Sequence, residues 1–388
     1  MTIKKIINAW VNERFEIEKL RGPLKKQIEK PLPGHVSWFH TLGSMAFFFF
    51  ISQVVTGILL LVYYRPTVNE AFESIKFITT QVYSGWLFRQ IHAWGANLMI
   101  IVVFVHMLRT FMMGSFKKPR EIIWFTGVFL FILTLVFGFT GYLLPWNQLA
   151  YWATTVGTEI AGAIPFLGEW IKTFLRGGPN VGSETLSRFF VIHVIILPWV
   201  VFFLVFTHLF LVRWQGIATL DPVDKPSDPK PVKSIPFFPH HVLKEGIVFF
   251  FLLGLMITLA VLMPFDLGEK ADPITTPEAI KPEWYFLPMY QVLKYFSKLK
   301  GLFIISLAPL FLFLWPLIDK TKERHPLRRP VSMAIGVLVV FSLLFFGILG
   351  YVSESKRVIL GKTYTFDIFG KPHQDTNQAT ALEKDLKN

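Results

Sequence analysis

Four histidines lie inside apolar runs: His92 and His106 in "RQIHAWGANLMIIVVFVHMLR" (89–109), and His193 and His208 in "RFFVIHVIILPWVVFFLVFTHLFLVR" (188–213). At about 100° and 1.5 Å per residue, a spacing of fourteen puts the first two on nearly one helix face, roughly 21 Å apart along the axis. The second pair is fifteen apart, again about four turns. Strongly polar groups inside a membrane span are costly, and charged ones on the order of 2.5–3.5 kcal/mol at its centre. A lone histidine there is accounted for by a hydrogen bond to a neighbouring helix. Two matched pairs at two depths suit a different chemistry, haem iron held on both axial sides by neutral imidazoles from different helices. His92 would face His193, and His106 would face His208, giving two haems, one near each membrane face.

Gly43 and Gly57, and again Gly127 and Gly141, repeat the spacing of fourteen in runs that carry no candidate ligand. Glycine lets a backbone approach a flat group closely, so these four are expected to let their helices close over the porphyrin rings. Small residues also mediate plain helix contact in membranes, which is the simpler account of either pair alone. Arg89 and Arg109 stand three residues from His92 and His106, where they could meet haem propionates or snorkel to the interface.

The elements that must position these residues are membrane helices. Of 388 residues, 53% are hydrophobic and 41 are Phe, with a mean hydropathy of +0.48, far more apolar than a soluble chain. Runs long enough to cross a hydrocarbon core lie near 41–63, 93–113, 123–144, 189–211, 243–264, 302–318 and 331–350. Lipid-exposed spans must satisfy their own backbone, so the expected fold is an all-α integral membrane protein of about seven transmembrane helices. The first 40 residues do not resemble a secretory signal.

The net charge of +13 could suggest nucleic acid, but the basic residues flank membrane ends: Lys4, Lys5, Lys25 and Lys26, then Arg109, Lys117, Lys118 and Arg120, then Arg324, Arg328 and Arg329. That pattern is topology rather than nucleic-acid binding, and it puts the N-terminus on the negative, cytoplasmic side. Lys294, Lys298 and Lys300 fall on the other side. Without cysteine, the chain has no disulfide, no thiolate-held iron–sulfur cluster and no thioether-linked haem. The expected division is a four-helix bis-haem bundle (1–220), a proline-rich linker (221–240), a three-helix module (241–352) and a polar tail (353–388).

With these features in view, residues 31 to about 350 resemble cytochrome b of the quinol-oxidising cytochrome bc complexes. "GYLLPWNQLAYW" (141–152) is similar to that family's third-helix end and the amphipathic segment after it, and "KPEWYFLPMY" (281–290) to its PEWY loop. "YYRPTVNEAF" and "GSFKKPREIIW" lean toward chloroplast-type members, as do the spacing of fifteen and the seven spans. The fused halves and "PFFPHHVLKE" lean toward mitochondrial and proteobacterial members. Thr41 stands where the chloroplast type has a cysteine for an additional covalent haem, which argues against that haem.

The resemblance implies two non-covalent haems b, of low potential at His92 and His193 near the positive side and of high potential at His106 and His208 near the negative side. It implies quinol oxidation at the PEWY loop, with Glu283 accepting a proton and Tyr285 and Tyr290 lining the pocket. Quinone reduction at the negative side is expected to involve Arg213, Lys244 and Glu245, with Arg213 where mitochondrial relatives have histidine. One quinol electron would go to a Rieske iron–sulfur protein and a cytochrome c1-type subunit, the other across the membrane, in a homodimeric complex of a bacterial inner membrane. Two other classes compete: a di-haem membrane anchor of a dehydrogenase or hydrogenase, without the PEWY loop or the glycine pairs, and a solute transporter with histidine proton relays, which would need broken spans.

Overall fold

A computed structural model describes residues 3–29, 32–33, 36–224, 234–277 and 280–374. Residues 225–233 of the proline-rich linker and 375–388 of the tail lie outside the described residues. Among the described residues, seven helices are long and apolar enough to span a membrane: Trp38–Leu61, Gly85–Met112, Glu121–Tyr142, Ser183–Gln215, Phe237–Leu262, Lys298–Ile318 and Pro330–Val352. They are named spans 1 to 7 below. Each matches one of the expected runs. Spans 2 and 4 begin several residues earlier than hydropathy alone indicates, because "GWLFRQ" and "SETLSRFF" continue the helix into the interface.

Span 2 is the most buried, packing against spans 1, 3, 5 and 7. Spans 1, 2, 4 and 5 enclose a core of Phe49, Phe50, Met99, Val201 and Met256. At one end of the bundle, Leu143, Trp146, Tyr151 and Phe189 form a second apolar cluster with Ala71. At the other end, Phe111, Phe116, Trp124 and Trp315 join spans 2, 3 and 6. The apolar residues left exposed, such as Phe203, Phe206 and Phe250, form the surface that lipid would cover.

Span 4 is not a regular α-helix. Residues Ile192–Ile196 form a π-turn, in which the Leu197 amide bonds to Ile192 O, five residues back. Pro198 follows directly; a proline lacks the amide its turn needs and crowds the preceding carbonyl. A π-bulge inserts one residue into a helix. The fifteen residues from His193 to His208 therefore advance about as far round the axis as the fourteen from His92 to His106.

Among the described residues, two small antiparallel sheets accompany the helices. Leu32–Pro33 pairs with Ser234–Ile235, so the start of span 1 meets the start of span 5. After span 7, Lys356–Ile359, Lys362–Phe366 and Pro372–Gln374 form a three-stranded meander. The polar tail thus begins with a folded element, docked where Gln291 donates to Ile368 O at 2.8 Å and Tyr295 stacks on Phe369.

Candidate functional site

The histidine rings meet as the spacing predicts. His92 and His193 face each other with ring centroids 6.5 Å apart and planes at 71°. Two imidazoles on one metal, each bonded at about 2.0–2.1 Å, have ring centres roughly 6 Å apart, so this pair fits an iron between its nitrogens. His106 and His208 lie at the other depth, the first ring against Gly43 and the second against Gly127.

Three threonines orient the imidazoles. Thr56 donates to Ser52 O at 2.6 Å, so its oxygen accepts from His92 Nδ1 at 2.9 Å. Thr126 donates to Ile123 O and accepts from His208 Nδ1 at 2.8 Å. Thr140 donates to Val136 O and accepts from His193 Nδ1 at 3.1 Å. Each hydroxyl proton is committed to a carbonyl of its own helix, which makes the imidazole the donor. Nδ1 is then protonated and the Nε2 lone pair is left for a metal, the arrangement by which metal-binding histidines are held. Sequence reading missed these threonines, although a signal was present: "TG" occurs at 56–57, 126–127 and 140–141, and Leu42 precedes the fourth glycine.

All four glycines lie against histidine rings. A methyl on Gly43 would meet His106 Cε1 at 3.3 Å, on Gly57 His92 Cε1 at 3.4 Å, on Gly127 His208 Cε1 at 3.4 Å, and on Gly141 His193 Cε1 at 2.5 Å. The close approach expected toward a porphyrin is, at the protein level, an approach to the imidazoles; at Gly141 a side chain would collide outright. The two arginines are engaged by protein groups: Arg89 donates to Phe265 O and Asp266 O at 3.2 Å each, and Arg109 lies against Nε2 of His40. Thr41 is buried and donates to Trp38 O.

The PEWY-like loop lies at the His92–His193 end. Glu283 precedes a short 3-10 turn, Trp284–Phe286. Burial raises its pKa above the ordinary carboxylate value. Tyr285, whose hydroxyl is pushed up by burial and then by Glu283 and Tyr142, lies beside both. Tyr290 donates to Ile280 O at 3.1 Å, with Lys294 over its ring.

At the opposite end, Arg213 lies 5.2 Å over Phe237 and Lys244 lies 5.1 Å over Trp38. Glu245 is 3.3 Å from His241 Nε2. A cavity there is lined by Leu32, Val36, His240, His241 and Lys244. The three expected residues therefore gather near one cleft, and the sequence reading missed His241, one helical turn before Glu245. The basic loops between spans 2 and 3, 4 and 5, and 6 and 7 also meet at this end, through Lys117–Asp319 and Lys322–Asp224. At the PEWY end, the anomalous Lys294 is bound to Glu354 at 2.6 Å.

Two family profiles match the chain, "Cytochrome b/b6/petB" over residues 27–216 and "Cytochrome b(C-terminal)/b6/petD" over 270–369. A cytochrome bc complex cytochrome b subunit of Chlorobaculum thiosulfatiphilum is 42% identical over 87% of this chain and 79% of its own length. The chain belongs to the cytochrome b/b6 family. Cytochrome b6 of Acaryochloris marina is 44% identical over 54% of this chain and 96% of its own length, which corresponds to the first half. A solved structure described as hyperthermophilic respiratory Complex III superposes with a TM-score of 0.82 at 31% identity, covering 89% of this chain and 92% of that one. The protein is accordingly an integral membrane cytochrome b of a bc/b6f-type quinol oxidoreductase complex, of the form that fuses the two halves, and its family binds haem b. The membrane-anchor alternative is not favoured, since both halves match.

Proposed function

We propose that the chain is the cytochrome b of a respiratory quinol:cytochrome c oxidoreductase that holds two non-covalent haems b. His92 and His193 bind the haem near the positive side, and His106 and His208 bind the one near the negative side. The haems supply a one-electron path between the two faces. The chain's own residues manage binding and protons. Glu283 accepts a proton from quinol, and Tyr285 and Tyr290 shape the oxidation pocket. Arg213, Lys244 and Glu245 bind quinone at the reduction site, while Arg89 and Arg109, with Gly43, Gly57, Gly127 and Gly141, frame the cofactors. The partners are a Rieske iron–sulfur protein and a cytochrome c1-type subunit in a homodimer. The setting is a bacterial inner membrane, with the N-terminus on the cytoplasmic side, as the gathering of the basic loops at one end supports. This reading is accompanied by the division into 1–220, 221–240, 241–352 and 353–388.

The observation that carries the reading is the facing pair His92–His193, each Nδ1 held by a threonine, at the same end as the half-buried Glu283. The test is purification with native partners, followed by haem extraction and a quinol:cytochrome c assay. Acid-acetone should remove all haem, and His106→Leu should lose the negative-side haem selectively. Haem that stays on the polypeptide, or a complex that oxidises quinol without reducing cytochrome c, would overturn it.

A further inference from the structure

Trp284 and Tyr285 both reach out of the C-terminal half onto the histidine-bearing bundle. A methyl on Gly138 of span 3 would stand 2.7 Å from Tyr285 Oη, 3.0 Å from Cζ and 3.1 Å from Cε2. Side chains do not tolerate such contacts, so only glycine lets the phenol ring rest there. The backbone gives no other reason for it, because Gly138 is not among the glycines with positive φ, and glycine inside a helix is unfavourable. Trp284 donates through Nε1 to Asn97 Oδ1 of span 2 at 2.5 Å. Asn97 Nδ2 donates in turn to Ala93 O at 2.9 Å, which fixes the orientation of the amide.

The two anchor points lie close to the same histidine pair. Gly138 is three residues before Gly141, which receives the His193 ring, and Asn97 is five residues after His92. Glu283 immediately precedes the two anchored aromatics. A shift of either ring moves the carboxylate relative to that pair.

We propose that Gly138 and Asn97 are positioning residues for quinol oxidation, holding Tyr285 and Trp284, and through them Glu283, in register with the positive-side histidine pair. The inference rests on the oxidation role assigned above to the PEWY-like loop. A displacement of about 1 Å at a reacting geometry can cost on the order of a hundredfold in rate.

The test is a double-mutant cycle on the assembled complex at matched haem content. Gly138→Ala should lower kcat for quinol oxidation by roughly ten- to a hundredfold, with both haem signals kept in the reduced-minus-oxidised spectrum. In that background Tyr285→Phe, which deletes the oxygen of the closest contact, should cost little further or restore rate, a strongly non-additive outcome. Asn97→Leu and Trp284→Phe should be non-additive in the same way. A Gly138→Ala complex with parental kcat, additive effects, or loss of the positive-side haem would overturn the proposal. If Glu283→Gln leaves quinol oxidation unchanged, it is the oxidation-site reading that falls; if Glu283→Gln is slow and the cycles are additive, only the positioning proposal does.

Discussion

Asp319, just after span 6, accepts the Lys117 ammonium at 2.7 Å, with both side chains almost wholly buried between the second and sixth inter-span loops. Arg329 reaches its other oxygen at 2.6 Å, and Thr321 and Ser332 complete the shell. Burial would raise the Asp319 pKa, but hydrogen bonds from Lys117, Thr321 and Arg329 outweigh it and hold the carboxyl well below the usual range. Lys117 is made less basic, first by burial. The two shifts pull opposite ways, and the short contact decides for the ion pair.

The first prediction concerns this clamp. Asp319→Asn keeps the shape but leaves two cations facing each other without a counter-charge, a loss of about 3–5 kcal/mol for a broken buried pair. The thermal midpoint of the detergent-purified protein should fall by several degrees. Because the carboxyl is more acidic folded than unfolded, its stabilisation is complete above the ordinary carboxylate pKa and is lost only as pH falls toward the lowered value. The parent's advantage over Asp319→Asn should therefore stay constant from neutral to mildly acidic pH. An unchanged midpoint would show that the network contributes no net stability.

Thr140→Val should loosen the haem proposed at His92 and His193. It removes the acceptor of His193 Nδ1 while preserving volume, and outer partners of metal-binding histidines are typically worth 10–100-fold in metal affinity. Haem loss under mild detergent and a redox titration would read the effect. The expected result is faster loss and a raised midpoint potential at the positive side, with the negative-side haem unaffected.

The role proposed for Glu283 has a pH signature. Its pKa is raised by burial, so the deprotonated form that can accept a proton is populated only above that raised value. The quinol oxidation rate should climb with pH through a transition above the normal carboxylate range, and Glu283→Gln should be slow and lack that limb. A stopped-flow series with oxidation rate-limiting measures it; a parental pH profile in the variant would sink the assignment.

Methoxyacrylate-type inhibitors of quinol oxidation should bind weakly. Ala153, half-buried in the helix Gln148–Gly162, stands where sensitive relatives are expected to have glycine. An added methyl at a fitted contact costs about 1–3 kcal/mol, roughly tenfold or more in affinity. Asn147 caps this helix by accepting from the Ala150 amide at 2.9 Å and also donates to Leu267 O. Titrating the parent and Ala153→Gly at equal haem content should show the glycine variant gaining sensitivity; a fully sensitive parent would remove Ala153 from the inhibitor pocket.

The seven spans and the facing of His92 with His193 were legible along the chain. Lipid leaves a long apolar segment little choice but helix, and an imidazole within one needs a compensating role. The second histidine pair is fifteen residues apart rather than fourteen, and its match to the first comes from the π-turn at Ile192–Ile196. That turn depends on how the helix accommodates Pro198, not on spacing. The threonines were in plain view as repeated "TG", yet hydroxyls on membrane helices commonly bond back to their own carbonyls, as Thr134 does to Leu130 O. That back-bond alone does not distinguish Thr134 from Thr56, Thr126 and Thr140; the glycine after each of the three and a ring on a neighbouring helix do. The same holds for Gly138 and for the Lys117–Asp319–Arg329 cluster. Each is a meeting of segments far apart along the chain, Lys117 and Asp319 by 202 residues, whose partners are chosen by packing of the spans rather than by any pattern along one of them.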